Sequence, residues 1–167
     1  MNKKVLIGVA AVVLIATAVV GLIFGLGSDS KGYERVIKEY YSAIEQVNGR
    51  KMFDLSFHSI EKNAFVAELK AEFVESFEDD VNYFWGSDIK TTHMIIDVEF
   101  DDAFNYFSYI PDRSQWIQRI GLKKLAMITV TYTISCNGDT DSDTDSFYVA
   151  QIKNRWYLVE DPFFIGD

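Results

Sequence analysis

Residues 5–26, VLIGVAAVVLIATAVVGLIFGL, run for 22 positions without a charge. A helix over this run rises about 33 Å, slightly more than the hydrocarbon core of a bilayer. Fourteen of its residues are Val, Leu, Ile or Phe, with three Gly and one Thr among the rest. At roughly −0.4 kcal/mol for each large apolar residue, insertion is favoured by about 5–6 kcal/mol before small losses at the others. Lys3 and Lys4 precede the run, while Asp29 and Lys31 follow it. That asymmetry predicts a single-pass cell-membrane anchor with residues 1–4 as a cytoplasmic tip and the rest of the chain outside.

A cleaved signal peptide is the competing reading. Its apolar stretch is normally about 7–15 residues, shorter than this one, although Gly25-Leu26-Gly27 offers a small-x-small cleavage site. A retained signal anchor is the expectation. No cysteine stands near the end of the run, which excludes a lipoprotein anchor. Thr17, Gly21 and Gly25 recur at four-residue spacing and would let two such helices approach, a route to a homodimer. Against it stands the general abundance of Gly in membrane helices.

Subtracting the anchor leaves 140 residues, 28–167, with 14 basic and 25 acidic side chains and 24 of the 25 aromatics. Such a segment can fill a core, and its net charge repels anionic headgroups and nucleic acid alike. Lys123-Lys124 is a basic doublet with no acidic residue within three positions, too little for a phosphate-binding surface. The single Cys136 excludes an internal disulfide and a thiolate-pair zinc site, and His58 and His93 are too few for a histidine metal cluster. The linker, residues 27–32, reaches at most about 20 Å, so the domain predicted for residues 33–167 stays close to the membrane face.

Tyr33, Val36, Ile37, Tyr40, Tyr41, Ile44 and Val47 follow the spacing of an amphipathic helix, with Ser30 as its cap and Asn48-Gly49 as its stop. A short helical piece carries Met52, Phe53, Leu55 and Phe57. A second long helix, from about 60 to 84, stacks Phe65, Leu69, Phe73, Phe77 and Val81, and Trp85-Gly86 ends it. From Thr92 the period switches to two, placing Met94, Ile96, Val98 and Phe100 on the buried face and His93, Ile95, Asp97, Glu99 and Asp101 opposite. An aromatic stretch, 104–110, closes at Pro111-Asp112. A strand over 122–136 would bury Ala126, Ile128, Val130, Tyr132, Ile134 and Cys136, with Thr129, Thr131 and Thr133 opposite. A loop, NGDTDSDTDS, leads to two further strands, 147–153 and 155–160, which turn around Asn154 and end at Asp161-Pro162. Helices followed by an antiparallel meander make an α+β fold, with two to three helices packed on a bent, cone-like sheet.

This order resembles the nuclear-transport-factor-2-like (cystatin-like) superfamily. The residues that carry the resemblance are the first helix, 33–47, and the closing hairpin, 146–160 (SFYVAQIKNRWYLVE), where a Trp enters the cup. The resemblance spans nearly all of 31–161 through residues that record packing. It implies a small membrane-anchored extracytoplasmic member; others of the superfamily serve as accessory domains of wall-synthesis enzymes or as anchored subunits of secretion machines. Its enzymatic members place an Asp base and Tyr or acid donors inside the cone. No position here matches those residue by residue, so the resemblance assigns no catalytic residue.

Candidate chemistry is sparse. Asp139, Asp141, Asp143 and Asp145 alternate as calcium ligands do in some loops, but Thr144 and Ala150 stand where an EF-hand needs Gly and Glu. A solvated hairpin tip explains the same residues. His93, Asp97 and Glu99 share one strand face, which suits a base–carboxylate pair or simply a solvated face. Cys136 falls on an apolar face without a His neighbour and reads as an inert thiol. His58 sits in a connection, where it can cap backbone. Phe100, Phe104, Tyr106, Phe107, Tyr109, Trp116, Tyr132, Tyr148, Trp156 and Tyr157 would either line a pocket in the cone or fill it. No catalytic, cofactor or metal residue is therefore assigned. The expected function is a membrane-tethered interaction or scaffold domain, without catalysis, for an envelope protein partner that docks near 106–110. The alternative is a module for a small apolar ligand in the cone, and last an isomerase or dehydratase using Asp97.

Overall fold

A computed structural model of the chain describes residues 30–60 and 64–159. The anchor run, the linker up to residue 29 and residues 160–167 lie outside that set, as does the 17/21/25 dimer face. Among the described residues no helix is long and apolar enough to cross a membrane.

Helix α1, Ser30–Glu45, is followed by α2, Gly49–Leu55, a 3-10 turn, Phe57–Ile60, and α3, Ala64–Phe84. Strand β1, Lys90–Asp101, leads into the single-turn α4, Ala103–Tyr106, and α5, Arg113–Ile120. Then β2, Leu122–Cys136, β3, Asp139–Ile152, and β4, Arg155–Leu158, complete a curved antiparallel sheet of order β1-β2-β3-β4. The α+β expectation and the helix-then-meander order hold. Helix α5 was not anticipated, although Trp116, Ile117 and Ile120 are spaced for one and Gly121 (φ 73°) closes it.

Three local devices shape the domain. Helix α1 stops not at Gly49 but at Val47, which is left-handed (φ 46°), and the Asn48 N–H donates to the Ala43 carbonyl at 2.9 Å. Asn48 instead caps α2, its side chain accepting from the Lys51 N–H at 2.8 Å. Gly49 lies inside α2 against α3, where a Cβ would fall 2.7 Å from the Val74 carbonyl oxygen. In β1 the register shifts between Ile95 and Asp97, so Ile96 is a bulge. The bulge reverses the alternation expected for β1: His93 and Ile95 pair with Tyr132 and Val130 on the helix-covered face, whereas Met94 is 60% exposed. Val98 and Phe100 return to the helix side opposite Ile128 and Ala126.

The third device is the β2–β3 turn. Asn137 and Gly138 both take positive φ, as a two-residue hairpin turn requires, and β3 begins at once. In place of the ten-residue loop expected here, residues 137 and 138 turn and the rest is strand, paired from Cys136↔Asp139 through Leu125↔Ala150. The β2 burial expectation holds: Ala126, Ile128, Val130 and Ile134 are buried, while Tyr132 and Cys136 are half-buried at the edge.

Two cores result. The first lies between α1 and the sheet and joins Tyr33, Tyr40, Tyr41, Ile128, Val130, Phe147 and Trp156 with Phe77 and Val81 of α3. The second lies on the opposite sheet face, where Phe107, Ile120, Leu125, Ala150, Ile152 and Val159 are covered by α4 and α5. Ser56 makes a parallel bridge to Leu158, so the segment entering the 3-10 turn protects the free edge of β4.

Candidate functional site

Most residues singled out from the sequence are separated by the fold. Asp139, Asp141, Asp143 and Asp145 lie on one face of β3, each about 7 Å from the next along an extended chain. That spacing cannot wrap ligand oxygens around one calcium ion at 2.3–2.6 Å. Among the described residues no group of three or more His, Cys, Asp or Glu could hold a metal. The four carboxylates instead line the half of β3 that β4 leaves unpaired, a charged edge that discourages strand addition.

The bulge at Ile96 also dissolves the His93–Asp97–Glu99 grouping. His93 turns under α1 and stacks on Tyr41, ring centroids 4.7 Å apart, while Asp97 and Glu99 pair with Thr129 and Met127 on the other face. Asp97 is exposed, its carboxylate accepting from the Val98 N–H at 2.9 Å. The residue on which the isomerase or dehydratase expectation rested is thus in solvent. Half-buried Cys136 donates its thiol hydrogen to the Trp85 carbonyl and accepts from the Asn137 amide. Lys123 donates to Asn154 and Lys124 lies over the Phe100 ring, so the doublet makes no shared basic patch.

The ten aromatics are likewise divided. Trp156 is core, edge-on to Tyr33 at 5.6 Å, and a Cβ at Gly32 would meet its ring at 2.3 Å. Of the two alternatives for this Trp, lining a pocket or filling the cone, it takes the second. Tyr106, Phe107, Trp116 and Tyr148 form the second core, with Tyr106 and Tyr148 at 4.3 Å. In the docking patch expected at 106–110 the side chains of Tyr106, Phe107 and Ile110 are packed in the second core, and Tyr109 is the exposed aromatic, at 70%.

A polar cluster emerges that the sequence did not announce. Beneath α1, Tyr41 lies between His93 and Tyr132, and the Tyr132 hydroxyl donates to Asp145. Burial, then the Asp145, Asp143 and Asp141 charges, push the Tyr132 pKa up to about 12. Burial and Asp143 also raise Asp145, partly offset by the Tyr132 hydrogen bond. Burial holds His93 below its usual value, with Glu45 opposing and Lys38 assisting. The Tyr41 hydroxyl is buried without a hydrogen-bond partner, and its pKa is raised mainly by that burial. Tyr41 is 2% exposed under α1, whereas His93 and Tyr132 are half-buried and Asp145 is exposed. The cluster is a structural cost: Tyr41→Phe is expected to raise stability by about 1 kcal/mol, or about 3–5 °C in Tm. A fall in Tm of that size in thermal melts would show that the hydroxyl has a partner.

Open apolar space lies elsewhere, along α3. The stripe Phe65, Leu69, Phe73, Phe77, Val81 is buried only at its C-terminal half; Phe65 is 72% exposed and Leu69 half-buried. Phe53, Ser56 and His58 face that open half across a groove of about 660 Å³, with Glu72, Ser76 and Asp80 along its wall. Phe53 meets Phe73 edge-on at 5.6 Å on the groove floor, and Lys70 pairs with Asp54 beside it. A smaller hollow of about 270 Å³, running to Trp116 and Arg119, shares His58, Phe65 and Leu69 with it. His58, over the Phe57 ring at 4.2 Å, is exposed at the rim, yet its apolar surroundings hold its pKa down. Apolar walls with a few polar groups suit a hydrophobic occupant, and the Ser56 hydroxyl on that wall donates to the Phe53 carbonyl at 2.9 Å.

No family model matches the chain, and no curated protein matches it. Among solved structures, a Campylobacter jejuni protein provisionally named an NTF2-like transpeptidase is similar, at 13% identity and a TM-score of 0.39, over 77% of this chain and 97% of that one.

Proposed function

We propose that this chain is a membrane-tethered extracytoplasmic binding domain, without catalytic activity, that takes an apolar segment of an envelope protein into the groove along α3. The tether rests on the 22-residue uncharged run and on Lys3 and Lys4 before it. As a whole the chain then reads as an anchored member of the nuclear-transport-factor-2-like superfamily, supported by helices that precede a bent meander and by the closing hairpin.

One observation carries the binding site. A continuous five-residue apolar stripe is half covered and half bare, so Phe65 and Leu69 face a groove instead of a core. Glu72 and Asp80 on that wall, on an acidic chain, favour an amphipathic segment with Lys or Arg beside its apolar residues. The size of the groove also fits a small apolar ligand.

The test is in-cell chemical cross-linking of the full-length protein, comparing the wild type with Leu69→Asp and, on the opposite sheet face, Thr131→Asp. The expected result is an envelope protein captured by the wild type and Thr131→Asp and reduced at least about tenfold by Leu69→Asp, as for a lost hot-spot side chain. Equal capture by all three chains would remove the groove from the interaction. A monomer that captures nothing and carries a small molecule would move the reading to the ligand.

A further inference from the structure

The end of the described chain and the groove are neighbours. Leu158 bridges Ser56 in parallel, so the chain leaves β4 in the direction of the 3-10 turn. Val159 packs in the second core, with Phe57, Ile60 and Trp116 against the same cluster. Those three side chains also line the smaller hollow, which opens through Phe65 and Leu69 into the main groove. The chain thus departs at the rim of the apolar groove.

The segment that follows, residues 160–167, reads EDPFFIGD. Pro162 has no N–H to extend a strand ladder. Phe163, Phe164 and Ile165 begin four residues after Val159, within about 13 Å of extended chain, and each ring can bury about 150–250 Å². Arg119 lines the Trp116 end of the hollow, a charge opposite to that of Glu160 and Asp161 at the start of the segment. The Glu72 and Asp80 wall at the far end repels an acidic segment, which favours entry from the Trp116 end only.

We propose that residues 163–165 occupy the groove of their own chain from the Trp116 end and must be displaced before a partner binds there. The intramolecular docking stands by itself; the competition rests on the binding role proposed above. A covalently linked segment acts at a high effective concentration, so even weak docking competes with a partner in solution. The groove is then a regulated site, closed in cis and opened by a ligand with higher affinity.

The experiment places the photo-cross-linking residue p-benzoylphenylalanine at position 65 in the full chain, reconstituted in lipid nanodiscs. The expected product is an adduct within one molecule between position 65 and the peptide carrying residues 160–167, lost in Phe163→Ser/Phe164→Ser. In cells, that double variant should raise the partner adduct from position 65 by about threefold or more, as removal of a competing bound state requires. Absence of the intramolecular adduct overturns the docking. Mixing isotopically light and heavy chains separates the remaining cases: a light–heavy adduct would place the segment in a neighbour's groove and overturn the cis assignment. An intact intramolecular adduct with unchanged partner yield would overturn the competition. With no partner adduct from either chain, the docking would survive and the proposed binding role would not.

Discussion

Phe77→Ala lowers the stability of the domain by about 3–5 kcal/mol, whereas Phe65→Ala, three turns earlier on the same helix, changes it by no more than about 0.5 kcal/mol. The two side chains are chemically identical and belong to one apolar stripe. Phe77 is 2% exposed and joins Val81 in attaching α3 to the first core, with Phe73 stacked on it at 6.1 Å. Truncating it deletes apolar contact in the first core, including that with Phe73, and leaves a cavity there. Phe65 lies on the bare half of the stripe, outside either core, so its loss costs the fold little even where residues 163–165 dock weakly beside it. Urea denaturation of the full chain in mild detergent, followed by tryptophan fluorescence, reads both. Comparable losses for the two variants would mean that the groove is closed in solution by something that holds Phe65 as firmly as the core holds Phe77.

Gly49→Ala gives the second large effect, with a sign opposite to helix propensity. Replacing Gly by Ala gains up to about 1 kcal/mol in a helix interior and less at a first position such as Gly49. Here the new methyl group falls 2.7 Å from the Val74 carbonyl oxygen and 2.9 Å from the Val74 Cα, both backbone atoms of α3. Backbone cannot swing aside as a side chain does, so α2 and α3 must separate, and the Glu78 carboxylate loses the Gly49 N–H it accepts at 3.1 Å. A net loss of about 2–3 kcal/mol is expected, a fall of roughly 5–12 °C in Tm. Since α2 and α3 form the two walls of the groove, the variant also widens the site. A rise in Tm would show that the two helices do not touch at this glycine.

The legible part of this fold was wherever period and composition agreed. The first helix, the 122–136 strand with its buried face, the 84–86 stop and the tight turn before Arg155 all follow from spacing alone. Where they disagreed, composition misled. Asp139 to Ser146 alternates strictly, D-T-D-S-D-T-D-S, immediately after Asn137-Gly138, a strong hairpin signal, yet four carboxylates suggested a loop. In the fold its Ser and Thr side chains pair across the sheet, Ser146 with Thr129 at 3.1 Å and Ser142 with Thr133 at 2.8 Å. The Ile96 bulge left no mark in the sequence, because both phases of β1 contain apolar residues: Met94 and Ile96 in one, Ile95 in the other. That single inserted residue decided which of His93 and Asp97 faces a helix.

The candidate site was less legible still. The stripe from Phe65 to Val81 announced a buried face but not that its first half lacks a cover, because coverage depends on how far α2 and the 3-10 turn extend beside α3. The Tyr41–Tyr132–Asp145 grouping depends on the β2–β3 register, which pairs Tyr132 with Asp143, and on where α1 lies on the sheet, which no local pattern encodes. Trp156, for which spacing left lining and filling the cone both open, fills it, packed against Gly32 and Tyr33 of α1.

The most direct measurement of the central claim is photo-cross-linking in living cells from two positions of the full-length, anchored protein, Phe65 in the groove and Thr133 on the opposite sheet face. An adduct with an envelope protein from position 65 and none from position 133 is the expected result. An adduct from position 133 alone, or from neither position, would contradict a binding role for the groove along α3.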